Sequence, residues 1–271
     1  MRTKREVRSV SRAMRLLETL SQAPEPMALG TLSKHLGIPK STTHYILETL
    51  RKGRFVERDR NGLYRVGLDA FLVGTAYSHN QTVMGLFHQA AKEIVGACGE
   101  TVQLAILDER RVVYIAKEEG TQPVRLVSEV GRSLPAHTTG LGKALLAYLP
   151  SDRFDTLFPP GSSFEKMTER SIGSVSVLRQ ELRRVQEQGY AHDFEETAEG
   201  LQCFAAPIFG AGTELIAAMS VAAPSSRVDP GRKAVLISLI KKGAANVSRS
   251  MGCAPETVER ALRLKSIGKE L

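Results

Sequence analysis

Apolar positions in the first 66 residues recur at helical spacing three times and then change to alternation. Val10, Met14, Leu17 and Leu20 lie three and four apart and predict a helix over 11–21 with all four side chains on one buried face. The Ala23-Pro24-Glu25-Pro26 segment ends it, because each proline disfavours helical geometry in the residue before it. A second helix, over 29–36, buries Leu29, Leu32 and Leu36. Gly37 then supplies a turn, and Pro39 suits the first position of a third helix over 39–52. Ile46, Leu47 and Leu50 point that third helix at a core and leave Lys40, Ser41, Thr42, His44 and Tyr45 outward near its N-terminal end. Two strands follow, 55–58 and 63–66, joined through Asn61-Gly62, a pair that tolerates the positive φ of a hairpin turn. Two helices around a tight turn and then a hairpin make a winged helix-turn-helix over 1–66, an arrangement most often used to set one helix into a DNA major groove.

Residues 67–80 predict a linker helix with Leu68, Phe71, Leu72 and Val73 on its apolar side, suited to spacing two domains and touching a second copy. A helix over 83–98 follows, stopped by Gly99, and then strand-like runs at 101–107, 112–116 and 124–127. Helices are predicted at 142–149 and 177–188, strands at 203–209 and 215–222, and a last helix at 230–251. Strands interleaved with helices and short turns predict an α+β domain over 81–252 with a largely antiparallel sheet. Residues 253–271 are left as a tail, read as one more short helix without an assigned role.

Charge sharpens this division. Of the 271 residues, 37 are Lys or Arg and 29 Asp or Glu, a net charge of +8. Residues 1–65 hold 14 of the basic and 6 of the acidic ones, so the whole excess lies on the segment patterned as a winged helix. Lys40 and the amides opening the third helix attract phosphate, the small hydroxyls allow close approach, and Arg58, Arg60 and Arg65 make the wing basic. A winged helix used to dock a protein partner is the competing reading. No run of about 18 apolar residues is present to span a bilayer. The basic N-terminus lacks the apolar core of a secretory signal. Three widely spaced cysteines, Cys98, Cys203 and Cys253, favour a reducing cytoplasm over a disulfide framework.

The segments RSVSRAMRLLETL, LSKHLGIPKSTTHYILETL, GRFVERDRNGLYRVG, GETVQLAILDERRVVYIAKEEG, GRSLPAHTTGLGKALLA, EQGYAHDFEETAEGLQCFAAPIF and AAMSVAAPSSRV occur in one unbroken order from Arg8 to about Gly252. In this the chain resembles the IclR family of bacterial transcription regulators. The resemblance implies an N-terminal winged helix, a linker helix and a C-terminal effector domain with a GAF-like fold. It also implies homodimers or homotetramers on pseudo-palindromic double-stranded operators, responsive to a small organic effector that is often a carboxylate or an aromatic acid. The effector pocket it implies is lined by Gly140, Leu141, Asp193, Cys203 and Ser220. Tyr45 stands where an arginine is common in the family. Leu141 replaces a frequent alanine and Ala222 a frequent serine, which makes the pocket less polar and favours an effector with an apolar or aromatic part.

The residues themselves bear on that pocket. Gly140 and Gly142, in a segment preceding the predicted helix, let backbone amides approach a ligand, and a helix N-terminus suits a carboxylate. The spacing of these glycines is not that of a phosphate-binding P-loop, and the plain alternative is that they permit close helix-on-sheet packing. His192, Asp193 and Cys203 lie within a dozen residues and suggest a Cys-His nucleophile only remotely, since Cys203 opens an apolar run where an inert buried thiol is usual. No catalytic residue, cofactor or metal is expected: the six histidines include no HxxxH pair and no Cys/His ladder. Of the acidic cluster Asp193, Glu195, Glu196 and Glu199, only Asp193 has an expected role, and the cluster reads as a solvated loop.

Overall fold

The computed structural model describes residues 7–79, 82–121 and 129–264. Its contacts divide the chain into two units, residues 1–81 and 82–271.

The first unit holds α1 (Arg8–Gln22), α2 (Leu29–Leu36), α3 (Lys40–Lys52), the hairpin β1 (Val56–Arg58) and β2 (Tyr64–Val66), and α4 (Leu68–His79). Leu16, Leu20, Leu32, Leu47, Val56 and Tyr64 form its core. The α2–α3 turn depends on Gly37, whose φ of 65° places it in the left-handed region where a side chain is strained. Pro39 caps α3 from just outside rather than opening it; its ψ of 139° is extended.

Helix α1 corrects one expectation. Leu16 and Leu20 reach the core with Leu17 beside them, whereas Val10 and Met14 are 55% and 56% exposed. The helix carries two apolar stripes, and Val7, Val10 and Met14 form the one facing away from the core. Along α4, Leu68, Phe71, Leu72 and Val73 are likewise exposed, each by about half or more.

The second unit is built on a six-stranded antiparallel sheet of order β5-β4-β3-β8-β7-β6. Its strands are β3 (Thr101–Asp108), β4 (Arg111–Glu118), β5 (Ser133–Pro135), β6 (Ala191–Phe194), β7 (Leu201–Phe209) and β8 (Leu215–Pro224). The strand expected at 124–127 lies outside the described residues. Helices α5 (Thr82–Cys98) and α9 (Pro230–Ser250) cover one face, where Val102, Leu104, Met219, Val221 and Phe204 alternate inward. The other face offers Ala105, Ala191, Ala205 and Ala218, and such small side chains let α6 (Gly140–Leu146) lie close on the strands. Gly142 lets α6 fold back against the turn that precedes it, because a Cβ there would sit 2.1 Å from the carbonyl oxygen of Ala136. Helices α7 (Ser151–Leu157) and α8 (Val175–Gln188) complete this side through Phe154, Phe158, Leu178, Leu182 and Val185.

The segment set apart as a tail belongs to this unit. Cys253 and, from α10 (Pro255–Leu262), Val258 and Leu262 are buried in the α5/α9 core, so no packing boundary falls at 252/253. The winged helix-turn-helix and antiparallel α+β unit expected from the pattern, the latter GAF-like as the resemblance implies, are the ones observed.

Candidate functional site

Two surfaces carry the residues singled out by the sequence, one in each unit. In the first, α3 turns Thr43 and Leu47 fully into the core, with Ile46 and Leu50 partly buried beside them. Lys40, Ser41, His44 and Tyr45 are exposed, Tyr45 by 74%, and Thr42 is half-buried. A cleft of about 680 Å3 separates α3 from the wing, lined by His44, Glu48, Arg51, Arg58, Arg60 and Asn61 among others. The wing turn is held by Asp59, whose Oδ1 accepts from the backbone N–H of Asn61 and of Leu63, both at 2.9 Å.

The three wing arginines differ. Arg65 donates twice to Glu57 Oε2 across the hairpin, at 2.8 and 3.0 Å, so its charge is partly spent on holding the strands. Arg58 lies over the Tyr64 ring, 5.4 Å from its centroid. The Arg60 side chain has neither a hydrogen bond nor an ion pair among the described residues and is the wing cation most available to a phosphate.

In the second unit, strand register brings together what the sequence holds apart. Asp193 pairs with Cys203 across β6 and β7, and Ser220 lies between Ala205 and Gln103 across β7, β8 and β3. Those side chains share the sheet face that α6 covers. Gly140 opens α6 against them: a Cβ on it would lie 3.2 Å from the Cys203 carbonyl oxygen. Thr139 caps the helix, its Oγ1 accepting from Gly142 N–H at 2.9 Å. The result is a small pocket lined by Gly140, Leu141, Asp193, Cys203 and Ser220 and also by Gln103, Tyr114, Leu134, Thr139, Thr197 and Leu201. Its free space, about 10 Å3, is room for roughly one water. Ser220 Oγ is buried there without a hydrogen-bond partner among the described residues, a cost that a polar ligand atom would remove.

Beneath the pocket lies a charged cluster. Asp193 is 2% exposed; its Oδ1 accepts from Glu196 N–H at 2.7 Å and from Thr197 N–H at 3.3 Å. Burial raises its pKa from the ordinary carboxylate value, against the opposing pull of Lys143 and those hydrogen bonds. Lys143, fully buried on α6, donates to the His192 carbonyl oxygen at 2.5 Å and to Glu196 Oε1. Glu196 is 9% exposed, its Oε2 has no hydrogen-bond partner among the described residues, and burial pushes its pKa up to about 7 against the attraction of Lys143. Asp193 and Glu196 are therefore not part of a solvated loop, although Glu199 of the same cluster is exposed. Even Glu195 is engaged, accepting from Ser225 Oγ at 2.6 Å.

Comparison with known proteins decides the family. The family model for the bacterial transcriptional regulator IclR C-terminal domain matches residues 75–249, and that for the IclR helix-turn-helix domain matches residues 9–60. The chain belongs to the IclR family of bacterial transcriptional regulators. It is 31% identical over 250 residues to the acetate operon repressor of Salmonella typhimurium, covering 91% of each chain. An IclR transcriptional regulator from Alicyclobacillus acidocaldarius superposes with a TM-score of 0.81 at 25% identity, over 92% of this chain and all of that one. An IclR homolog from Microbacterium hydrocarbonoxydans, complexed with 4-hydroxybenzoate, has the same fold: TM-score 0.80 at 18% identity, over 90% and 98% of the two chains.

An IclR-type regulator is a DNA-binding protein and not an enzyme, and the geometry around Cys203 agrees. His192 and Asp193 alternate to opposite faces of β6; the imidazole stacks on Phe204 at 4.6 Å, on the far side of the sheet from Cys203. Burial moves the thiol pKa well above its usual value, away from a reactive thiolate. Among the described residues no helix is long and apolar enough to cross a membrane.

Sequence reasoning missed Lys143 and Glu196 as partners. The only local signal was a lysine inside the small apolar run GLGKALLA, where a charge has no solvent-facing excuse.

Proposed function

We propose that this IclR-type regulator binds a pseudo-palindromic DNA operator as a homodimer or dimer of dimers, and that a small organic carboxylate with an apolar or aromatic part modulates that affinity. Two copies present Lys40, Ser41, Thr42, His44 and Tyr45 to successive major grooves, while Arg60, with Arg58 and Arg65, lies along the backbone. The exposed apolar stripes, Val7, Val10 and Met14 on α1 and Leu68, Phe71, Leu72 and Val73 on α4, support a second copy as their cover. Residues 1–66 serve as the DNA-binding domain, 67–80 as the linker helix and the remainder as the effector-binding unit.

The observation that carries the effector reading is the unpartnered Ser220 Oγ inside a pocket that Gly140, Leu141, Asp193 and Cys203 also line. The 4-hydroxybenzoate bound by the Microbacterium homolog supports an aromatic acid as the class. With room for one water, the pocket must open to admit such a ligand. The ligand therefore selects an expanded arrangement, and by linkage changes operator affinity by about 1–3 kcal/mol. A ligand-sensing module working through a protein partner is the alternative.

Fluorescence anisotropy on DNA from upstream of the protein's own gene, at two salt concentrations with nonspecific competitor, separates them. Competitor-resistant binding that weakens steeply with salt is expected, with Lys40→Ala lowering the slope of log affinity against log salt by about one. Salt-independent binding, or none, would favour the partner protein.

A further inference from the structure

The third helix carries a charge of the wrong sign for a surface meant to meet phosphates. With Thr43 and Leu47 buried, helical spacing puts Ser41, Tyr45, Glu48 and Lys52 on the side away from them, and of these Glu48 is half-buried, its side chain 26% exposed on the edge that faces the wing. Glu48 is the only acid on this helix. Its carboxylate is held by Arg51 one turn on, with Nε 3.1 Å from both oxygens and Nη2 2.8 Å from Oε2. Glu48 lines the cleft to the wing together with Asp59 and with the basic Arg51, Arg58 and Arg60, whose charges favour DNA phosphate.

The hydrogen bond to Arg51 lowers the Glu48 pKa, so the carboxylate meets DNA ionised. The other acids nearby have structural tasks: Asp59 holds the wing turn and Glu57 ties the hairpin through Arg65. Glu48 has no hydrogen bond beyond its own helix among the described residues: Arg51 is a neighbour one turn on, in an exposed pair that contributes little to stability.

An ionised carboxylate only accepts hydrogen bonds, and Arg51 occupies part of its accepting capacity, leaving lone pairs over. Phosphates, guanine and the oxygen of thymine all present acceptors and repel it. In the major groove, donors come from the amino groups of cytosine and adenine, and adenine sets its N7 acceptor beside its donor. Cytosine is therefore the base edge a fixed carboxylate suits best.

We propose that Glu48 is a specificity-determining residue that reads a cytosine amino group in each operator half-site, with Arg51 fixing the plane of its carboxylate. This rests on the DNA-binding reading of α3.

Selection from a random DNA pool with the full chain, followed by anisotropy on single-base variants of the selected site, tests it. The wild type should enrich a motif with cytosine at one position per half-site, and replacing that base should weaken binding by about 5- to 150-fold. Glu48→Ala should keep every other preference while losing that one, and should bind unrelated DNA more tightly because Arg51 is released. Glu48→Gln should move the preferred base toward adenine, whose N6 and N7 suit an amide. A Glu48→Ala protein that selects the same motif as the wild type would overturn the proposal and reduce Glu48 to a brace for Arg51. A wild type that enriches no motif would overturn the DNA reading and this proposal together.

Discussion

Glu48 and Glu196 each hold a basic side chain, and the two pairs differ mainly in where they are. Glu48 and Arg51 face water on α3, so solvent screens their attraction and either partner can exchange it for DNA without leaving a charge stranded. Glu196 and Lys143 lie inside the second unit, where each ion would be costly without the other. The same chemistry thus yields an adaptable recognition surface in one place and a rigid support in the other. Through the His192 carbonyl and the loop after β6, the buried pair fixes the segment that carries Asp193 and Thr197 into the pocket.

Breaking the pairs should expose that difference. Lys143→Met should destabilise the second unit by about 3–5 kcal/mol at pH 8, measured by urea unfolding, because Glu196 loses its buried cation, Glu181 loses the same cation at 3.8 Å, and Asp193 loses its attraction. Part of the loss should return below pH 7, as Glu196 takes up a proton. A loss of under about 1 kcal/mol, the range of exposed pairs, would mean that burial does not separate the two.

Glu196→Gln should sharpen the contrast through pH. The folded-state pKa of Glu196, about 7, lies above the usual glutamate value of 4.5. Its stabilising contribution is therefore fully present below about pH 4.5 and lost as pH rises through 7. The stability of the wild type minus that of the variant should fall by about 2–3 kcal/mol between those limits. The difference between variants is the quantity to follow, since His192 acts the other way. Burial pushes its pKa down to about 4, so its contribution is present above about pH 6.5 and lost as pH falls. A difference that does not change with pH would place the raised proton affinity elsewhere in the cluster.

The smallest effect is expected at the surface. Glu48→Ala should leave the urea midpoint of the first unit where it was, while changing which DNA the chain selects. A clear drop in stability would show that the Glu48–Arg51 pair braces the helix.

How far each region was legible follows from the range of its determinants. The outward set on α3 could be read because three inward residues, Ile46, Leu47 and Leu50, set the helical phase within one turn. On α1 the same method placed Leu17 and Leu20 correctly but drew Val10 and Met14 onto their face and passed over Leu16. Two apolar stripes are present, and periodicity does not distinguish a stripe facing this chain's core from one turned away, as Val10 and Met14 show. Strand β6 escaped notice because four residues, two of them polar, make no alternation worth reading. Helix α7 is likewise only seven residues long.

The effector pocket was reached by resemblance, and the rest of its lining came from pairings that link distant stretches. Gln103 meets Ser220 because β3 lies next to β8, which follows it by more than a hundred residues. Local sequence thus decided the helices, the wing, the antiparallel α+β class and the charge on the first unit, since each depends on neighbours a few positions away. Burial of Asp193 and Glu196, the pairing of Glu196 with Lys143 some fifty residues earlier, and the near-closed pocket above them belong to the tertiary structure alone. A carboxylate's charge state follows from its solvation and its partners, and both are supplied here by segments far away along the chain.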